Sequence, residues 1–422
     1  MKAKVHAVLM KCSINLCGTN LIKELNKPIN TARWEKYLKE ELAFDLSPNK
    51  EYRKNHIPQF HLKTYADLLI YGSYMEDQTK YKSDVEGPEL ENPVMKFCMG
   101  KIAKQGKYKH WLEHFWNDDY MEKPEKGLEI TNEYICDVIA DAFCITKIFG
   151  EFFGNVISKI MGLIGKPFFL LFNGSTTIEH FRPAPSRATE YWNILIKQYN
   201  EGNPEAAYFN LGKVCHLLAD IWTPAHMHGD PHTGFKRMST FIKGILKKNS
   251  NEYLGVADSM DDDQYEVYTN LQIEPHIPKK ESHEDASEEW LPNIEEALPK
   301  RWCLSSDKSF PGYVSGWNLM DYFRHAANIT MQYDSDDYDG KTKYEPYHWN
   351  HFRPLSPATW KLKRRWDGDL TDDACDQIAS QLIPLIIADT AGVLYMFCDE
   401  VGMSFSNDIA DWNDPTTGEE RV

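Results

Sequence analysis

The chain has 422 residues, 42% of them hydrophobic, and a formal net charge of -16, so it can bury a large core beneath an acidic surface. A broad anionic field repels phosphate and disfavours nucleic-acid binding, although it leaves room for a local cationic site such as bound metal. The nine cysteines are scattered without a C-x-x-C pair, which argues against a zinc ribbon or a disulfide framework and favours reduced thiols in an intracellular setting.

Helical periodicity is the main structural signal along the chain. The predicted helical stretches, in chain order, are 1–26, about 32–44, 62–75, two helices within 185–222, and 373–403. The turn sequence "EGNPE" separates the two helices within 185–222. Alternating Val/Ile/Thr runs are nearly absent, so strand signals are sparse. The sequence therefore predicts an all-α protein.

The domain organisation follows from shifts in composition. We predict a single multi-helix domain over 1–405, with irregular insertions at about 78–108 and 247–300 where charged residues dominate. Residues 406–422 are predicted to form a mobile tail. The N-terminal sequence does not match a signal peptide, because Lys11 interrupts its apolar part. The chain as given is expected to be cytoplasmic, and secreted if a leader precedes it. Oligomeric state cannot be inferred from the sequence.

The most apolar segment, 134–174, has two interpretations. From residue 148 to 174 only Glu151, Lys159 and Lys166 carry charge. One interpretation is a buried helix pair, and the other is a peripheral patch over 148–174 that touches lipid. No run of about 18 uncharged apolar residues is found, so no transmembrane helix is predicted.

The stretch "VCHLLADIWTPAHMHGDPH", residues 214–232, concentrates groups that bind metals. His216 and Asp220 are four residues apart, which places both on one face of a helix. Thr223 precedes a proline and disfavours continuation of the helix, so a break there can bring His226 back toward the same face. Any one of these residues alone would most simply be structural. The three together predict a metal site.

The pattern around these residues resembles a known family. The segment "AAYFNLGKVCHLLADIWTPAH", residues 206–226, is similar to the signature of the zinc-dependent phospholipase C family, whose fold is shared with the S1/P1-type nucleases. The segment "LIPLIIADTAGVLYMF", residues 382–397, also resembles the last core helix of the family. The resemblance implies a helical fold and a site for two or three zinc ions.

The remaining ligands are implied by matching the family's motifs along the chain. The motifs are "KVHAVL" near the start, "YGSYMED", "HWLEHFWNDD", the central signature, and "DSMDDDQYEVYTN". The implied ligand set is His6, Asp77, His114, His216, Asp220, His226, Asp262 and Glu266. Rival ligands are Glu76 for Asp77, His110 for His114, and His228 or His232 for Asp262.

Two positions depart from the family pattern. The family usually has histidine at the position of Asp262, although aspartate oxygen also binds zinc. Secreted members use the amine and carbonyl of an N-terminal Trp, whereas residue 1 here is Met. Three alternatives remain: a different mature N-terminus, the backbone of Met1 or Lys2 as a substitute, or a weak third zinc.

The resemblance implies an arrangement of these ligands. The first zinc would be held by Asp77, His114, His216 and Asp220. Asp220 would bridge to a second zinc near His6, and a third would be held by His226, Asp262 and Glu266. Asp77 would also act as catalytic base or orient the attacking water.

The function implied is a zinc-dependent phosphodiester hydrolase, of the phospholipase C type, that acts on a phospholipid through a metal-bound hydroxide. One alternative is a single-strand nuclease of the S1/P1 type. Another is a non-catalytic, zinc-stabilised helical protein that binds a membrane or a partner. The number of bound zinc ions would discriminate the last alternative, because a structural zinc site has no open coordination position.

Overall fold

The computed structural model describes residues 1, 3–40, 62–77, 113–116, 121, 124–125, 127, 129–131, 177–228, 264–273, 298–302, 312–335, 370–403 and 405. Its helices are α1 Ala3–Leu16, α2 Thr19–Leu25, α3 Thr31–Glu40, α4 Tyr65–Met75, α5 Ala184–Asn200, α6 Pro204–Ile221, α7 Pro224–His228, α8 Gln264–Ile273, α9 Leu319–Thr330 and α10 Asp372–Glu400. A short 3₁₀ helix spans Lys300–Trp302. The described part of the chain is thus predominantly helical, as the sequence predicts.

Two short strands depart from the all-α prediction. β1, Glu129–Thr131, pairs antiparallel with β2, Thr177–His180, in a two-stranded sheet. Strands of three and four residues are too short to show the alternation of apolar and polar residues by which strands are recognised. The sheet is small beside the helices and leaves the helical fold class unchanged.

The predicted helix over 1–26 is divided into α1 and α2. Gly18, the residue before α2, has φ -70° and ψ 166°, which is extended rather than helical backbone. Its backbone N–H donates to the hydroxyl of Tyr395 in α10 at 2.7 Å. A tertiary hydrogen bond therefore replaces a helical one at this point, and periodicity alone does not reveal it.

Helix α6 is the centre of the fold. Asn203 caps its start by accepting a hydrogen bond from the backbone N–H of Ala206 at 3.4 Å, and Pro204 occupies the first turn, where its missing N–H costs nothing. Every residue from Glu205 to Ile221 is buried. Helices α4 and α5 pack against α6, and α1 packs against α4 and α10. The C-terminal end of α6, which carries His216 and Asp220, is therefore enclosed on several sides.

Two glycines allow α4 and α6 to cross closely. A Cβ atom added at Gly72 would lie 1.9 Å from the carbonyl oxygen of Phe209, and one added at Gly212 would lie 2.2 Å from the carbonyl oxygen of Leu69. Both obstacles are backbone atoms, which cannot rotate away as side chains do. The close crossing sets the end of α4 beside the end of α6 that carries His216 and Asp220.

Gly212→Ala is accordingly expected to destabilise the chain by about 1–3 kcal/mol, because the new methyl group overpacks the crossing. The measurement is denaturant unfolding of the metal-free protein. Lys197→Ala, on an exposed part of α5, is the control and should change the free energy of unfolding by less than about 0.5 kcal/mol. An unchanged stability for Gly212→Ala would contradict the crossing geometry.

Helix α10 is long and apolar enough to cross a membrane by length and composition, but 89% of its most apolar window is buried inside the protein. The core helix of a soluble protein passes the same test, so the length of α10 is weak evidence for a membrane span. Thr371 caps the helix by accepting a hydrogen bond from the backbone N–H of Ala374 at 3.1 Å.

Several predicted segments lie outside the described residues: the insertion 78–108, the apolar segment 148–174 and the tail 406–422. The predicted insertion 247–300 is described in part. It contains α8, where Tyr265, Glu266 and Ile273 are buried and the helix packs against α10. This part of the segment is a helix that packs in the core.

Candidate metal centre

The carboxylate of Asp220 lies at the meeting point of four histidines. Oδ1 of Asp220 lies 3.1 Å from Nε2 of His6 and 3.9 Å from Nε2 of His226. Oδ2 lies 2.8 Å from Nδ1 of His114 and 3.1 Å from Nε2 of His216. The two oxygens of one carboxylate thus face two different sets of imidazoles.

The local structure explains how these side chains converge. His216 and Asp220 are one helical turn apart on α6, as their spacing predicts. Helix α6 ends at Ile221, and α7 begins at Pro224, so the predicted break occurs and returns His226 to the centre. Asp77 follows α4, and its Oδ1 lies 3.4 Å from Nε2 of His216.

Further polar groups lie close to His226 and Asp220. Nε2 of His226 lies 3.1 Å from Oε1 of Glu266, which α8 contributes. The backbone nitrogen of Met1 donates to the same Glu266 oxygen at 2.8 Å and lies 3.7 Å from Oδ1 of Asp220. Glu266 and Asp220 thus share neighbours, and the chain start lies between them.

Backbone carbonyls set the orientation of two histidine rings. Nδ1 of His216 lies 2.7 Å from the carbonyl oxygen of Ser73, and Nδ1 of His226 lies 3.0 Å from that of His114. Because a carbonyl oxygen only accepts, each Nδ1 carries a proton, and each Nε2 is directed toward the carboxylates. Ligating histidines are oriented in this way in metal sites.

Three members of the donor set are almost completely buried, and several of their polar atoms make no directed hydrogen bond. His6, His216 and Asp220 are each at most 1% exposed. In the described part of the chain, both ring nitrogens of His6, Nε2 of His216 and Oδ2 of Asp220 make no directed hydrogen bond. Buried polar atoms in this condition are costly, and a cation would satisfy them.

Two overlapping groups have the spacing of metal ligands. They are His6, His216 and Asp220, and Asp77, His114 and His216. Within each group the ligand atoms all lie within 4.8 Å of one another. Imidazole nitrogen and carboxylate oxygen are both good zinc donors. The buried clusters could therefore hold metal ions.

The electrostatics keep two of the donors, His6 and Asp220, in a form that binds metal. Burial, aided by the neighbouring His216, lowers the pKa of His6 to about 4 against the attraction of Asp220. Burial opposes the charge of Asp220, but His216, His226 and His6 outweigh it and hold the pKa of Asp220 well below its usual value. His6 is thus neutral and Asp220 ionised at neutral pH.

The pKa of His216 is shifted in the opposite direction from that of His6. Burial opposes its protonation, but Asp220 and Asp77 outweigh burial and raise the pKa of His216 well above its usual value. A metal that binds its Nε2 must displace that proton. Metal binding at the site is therefore expected to release protons and to strengthen as pH rises.

Not every predicted ligand can be placed. The structure brings together His6, Asp77, His114, His216, Asp220, His226 and Glu266. Asp262 and its rival His232 lie outside the described residues, as does His110. The other rival, His228, is directed elsewhere, because its Nε2 lies 2.8 Å from the carbonyl oxygen of Tyr333.

Glu76, the rival of Asp77, belongs to a buried charged network beside the candidate metal centre. The sequence did not predict this network. Its Oε1 accepts a hydrogen bond from Nε of Arg187 at 2.8 Å, and its Oε2 accepts one from the hydroxyl of Tyr191 at 2.9 Å. Nη1 of Arg187 donates to Oε2 of Glu113 at 2.7 Å. The only signal in the sequence was an acidic residue directly before each of two predicted ligands, Asp77 and His114.

The ionisation of Glu76 gives a pH dependence to stability. Burial is the largest single influence and opposes the charge of Glu76, but Arg187, His114 and Lys213 together outweigh it and hold the pKa of Glu76 well below the usual 4.5. A carboxylate with a depressed pKa stabilises the fold above its unfolded-state pKa and loses this contribution as pH falls.

Glu76→Gln should therefore be less stable than wild type at pH 7. The difference between the two free energies of unfolding should shrink by about 1.4 kcal/mol for each pH unit below the unfolded-state pKa of Glu76. Denaturant unfolding of both metal-free proteins from pH 7 to pH 3 measures this difference. Glu190→Gln, an exposed carboxylate on α5, is the control and should show little change with pH. A stability difference between wild type and Glu76→Gln that does not change with pH would contradict an ionised Glu76 paired with Arg187.

Comparison with known proteins adds no relative: no family model matches the chain, and no curated protein matches it. A functional proposal therefore rests on the geometry of the buried histidines and carboxylates, together with the resemblance of residues 206–226 to the family signature.

Proposed function

We propose that the chain is a zinc-dependent phosphodiester hydrolase of the phospholipase C type, with the helical fold that this family shares with the S1/P1 nucleases. The observation that supports the proposal most strongly is the position of Asp220. Its Oδ1 faces His6 and its Oδ2 faces His114 and His216, at 2.8–3.1 Å. A buried carboxylate with histidines on both oxygens suits a bridge between two metal ions.

The residues fit zinc by donor type as well as by spacing. In the proposal, Asp77, His114, His216 and Asp220 would hold the first zinc, and Asp220 and His6 would hold the second. His226 and Glu266 would hold the third, together with Asp262, which lies outside the described residues. Clustered zinc ions acidify a water molecule and stabilise the charge on phosphoryl oxygens.

Asp77 is the residue best placed to handle the proton of the attacking water. Its side chain is 20% exposed, whereas those of His216 and Asp220 are at most 1% exposed. Burial opposes the charge of Asp77, but His216 and His6 outweigh it and lower the pKa of Asp77. Asp77 is therefore an ionised acceptor at the solvent edge of the centre, and its lowered pKa suits a group that orients the water better than one that removes its proton.

The charge distribution favours a lipid phosphodiester over a nucleic acid. With a net charge of -16, the chain has no broad attraction for a polyanion, so binding of phosphate depends on the local metal charge. A zwitterionic phospholipid carries a single phosphodiester and suffers little repulsion. A nucleic-acid strand places many phosphates against the acidic surface.

The test is hydrolysis of a chromogenic choline phosphodiester by the zinc-loaded chain, with a single-stranded oligonucleotide assayed in parallel. We expect zinc-dependent hydrolysis of the choline ester, and of phosphatidylcholine vesicles, and little cleavage of the oligonucleotide. Cleavage of the oligonucleotide alone would replace the lipid substrate by a nucleic acid. No hydrolysis of either substrate, together with one tightly bound zinc per chain, would overturn the enzymatic proposal in favour of a zinc-stabilised binding protein.

A further inference from the structure

We propose that Arg187 is a positioning residue for the metal centre, and that it fixes the two chain segments that present Asp77 and His114. This inference rests on the proposed zinc function. Arg187 lies on helix α5 and is not one of the proposed metal ligands.

The guanidinium of Arg187 links three side chains at once. Nε donates to Oε1 of Glu76 at 2.8 Å, Nη1 donates to Oε2 of Glu113 at 2.7 Å, and Nη2 donates to the hydroxyl of Tyr191 at 2.9 Å. All four residues are buried, and Arg187 itself is 0% exposed. The planar fork of arginine holds several acceptors in fixed directions, which the point charge of a lysine cannot do.

The two carboxylates are next to the ligands in sequence. Glu76 immediately precedes Asp77, and Glu113 immediately precedes His114. The chain segments that carry them are 36 residues or more apart in sequence and have no helix or strand in common among the described residues. A single guanidinium thus connects them and restricts how far Asp77 and His114 can move relative to each other.

The network also reaches the imidazole of His114 directly. Oε1 of Glu76, the oxygen that accepts from Arg187, lies 3.7 Å from Nε2 of His114. Nδ1 of the same ring faces Asp220. The ring is therefore placed between the charged network and the metal centre. Groups that orient a ligating histidine in this way change metal affinity by about 10- to 100-fold when they are removed.

A purely structural role would also account for burial of these charges, so stability alone cannot test the inference. Replacement of a buried ion pair by other residues can be neutral for stability, whereas loss of one partner is usually costly. The decisive readout is the metal centre itself. Zinc affinity and the visible absorption of the cobalt-substituted protein report ligand geometry, which a distant structural defect would leave unchanged.

The first variant is Arg187→Lys, which keeps a positive charge but cannot bind Glu76 and Glu113 together. We expect zinc affinity, measured by competition with a chromophoric chelator, to fall by about 10- to 100-fold, with an altered cobalt spectrum. Tyr191→Phe is a milder variant that removes the hydroxyl that donates to Glu76. It should lower zinc affinity by about fivefold while leaving the fold intact.

Arg182→Gln is the matched control. Arg182 also binds Glu113, through Nε at 2.6 Å and Nη2 at 3.0 Å, but it pairs with Glu190 rather than with Glu76. Its side chain is 34% exposed. Its removal leaves the link from Glu113 through Arg187 to Glu76 in place, so zinc affinity should stay within about twofold of wild type and the cobalt spectrum should not change.

The outcomes separate this inference from the function on which it rests. Lower affinity and an altered cobalt spectrum for Arg187→Lys and Tyr191→Phe, with the control unchanged, would support it. Wild-type affinity and spectrum in a folded Arg187→Lys or Tyr191→Phe would overturn it while leaving the zinc function standing. A wild-type chain that binds no zinc would overturn both. An equal loss of zinc affinity in Arg182→Gln would also overturn the inference, because the loss would then not depend on the link from Arg187 to Glu76.

Discussion

Asp220→Asn is expected to lose bound zinc and to reduce hydrolysis by at least about 1,000-fold, the largest effect that we predict for any single substitution. Both oxygens of Asp220 face histidines, Oδ1 toward His6 and Oδ2 toward His114 and His216. The amide of asparagine would present an NH₂ group in place of one oxygen and would remove the negative charge. One of the two sets of ligands would then lack a donor, and the bridge would be lost.

Elemental analysis and the chromogenic assay on the same protein sample measure this effect. Asp389→Asn is the matched control, because Asp389 is also a fully buried aspartate, on α10, and its Oδ2 lies 2.9 Å from Nδ1 of His325. The control should keep its zinc content and most of its activity. Full zinc content in Asp220→Asn would show that Asp220 does not bridge metal ions.

Removal of metal by a chelator is the second large effect. Without cations, three carboxylates would lie close together beside the buried imidazoles: those of Asp77, Asp220 and Glu266. Several buried polar atoms at the centre would also lack a hydrogen-bond partner, which destabilises the folded state. A ligand that binds only the folded state adds about 4 kcal/mol to the free energy of unfolding at about 1,000 times its Kd. Chelation should therefore lower the melting temperature and abolish hydrolysis, and added zinc should restore both.

Calorimetry with and without chelator measures the stability change, and Asp220→Asn provides the control. In that variant the melting temperature should respond much less to chelator, because less metal is bound at the start. A wild-type melting temperature that is insensitive to chelation, with activity retained, would contradict a metal-dependent site.

The sequence predicts the central part of the site because that part is local. His216 and Asp220 lie on one turn of α6, and the break before Pro224 follows from a rule about a single residue pair. Apart from the division of the predicted helix over 1–26, the predicted helices agree with the described structure for the same reason: periodicity is a local signal. His6 and Asp77 lie beside His216 in the structure, at positions for which the family resemblance was the only guide.

The parts that the sequence did not predict depend on contacts between distant segments. Arg187 reaches Glu76 across 111 positions and Glu113 across 74, and no spacing rule links them. The division between α1 and α2 depends on a hydrogen bond from Gly18 to Tyr395, which is 377 positions away. The burial of α8 within a charged, acidic segment likewise depends on its packing against α10, which composition does not reveal.

The most direct test of the account is the number of zinc ions bound per chain, measured by elemental mass spectrometry on wild-type protein after removal of loosely bound metal. The proposed arrangement, with Asp220 shared between His6 on one oxygen and His114 and His216 on the other, predicts two or three zinc ions per chain. One zinc or none would contradict the shared carboxylate and, with it, the proposed hydrolase.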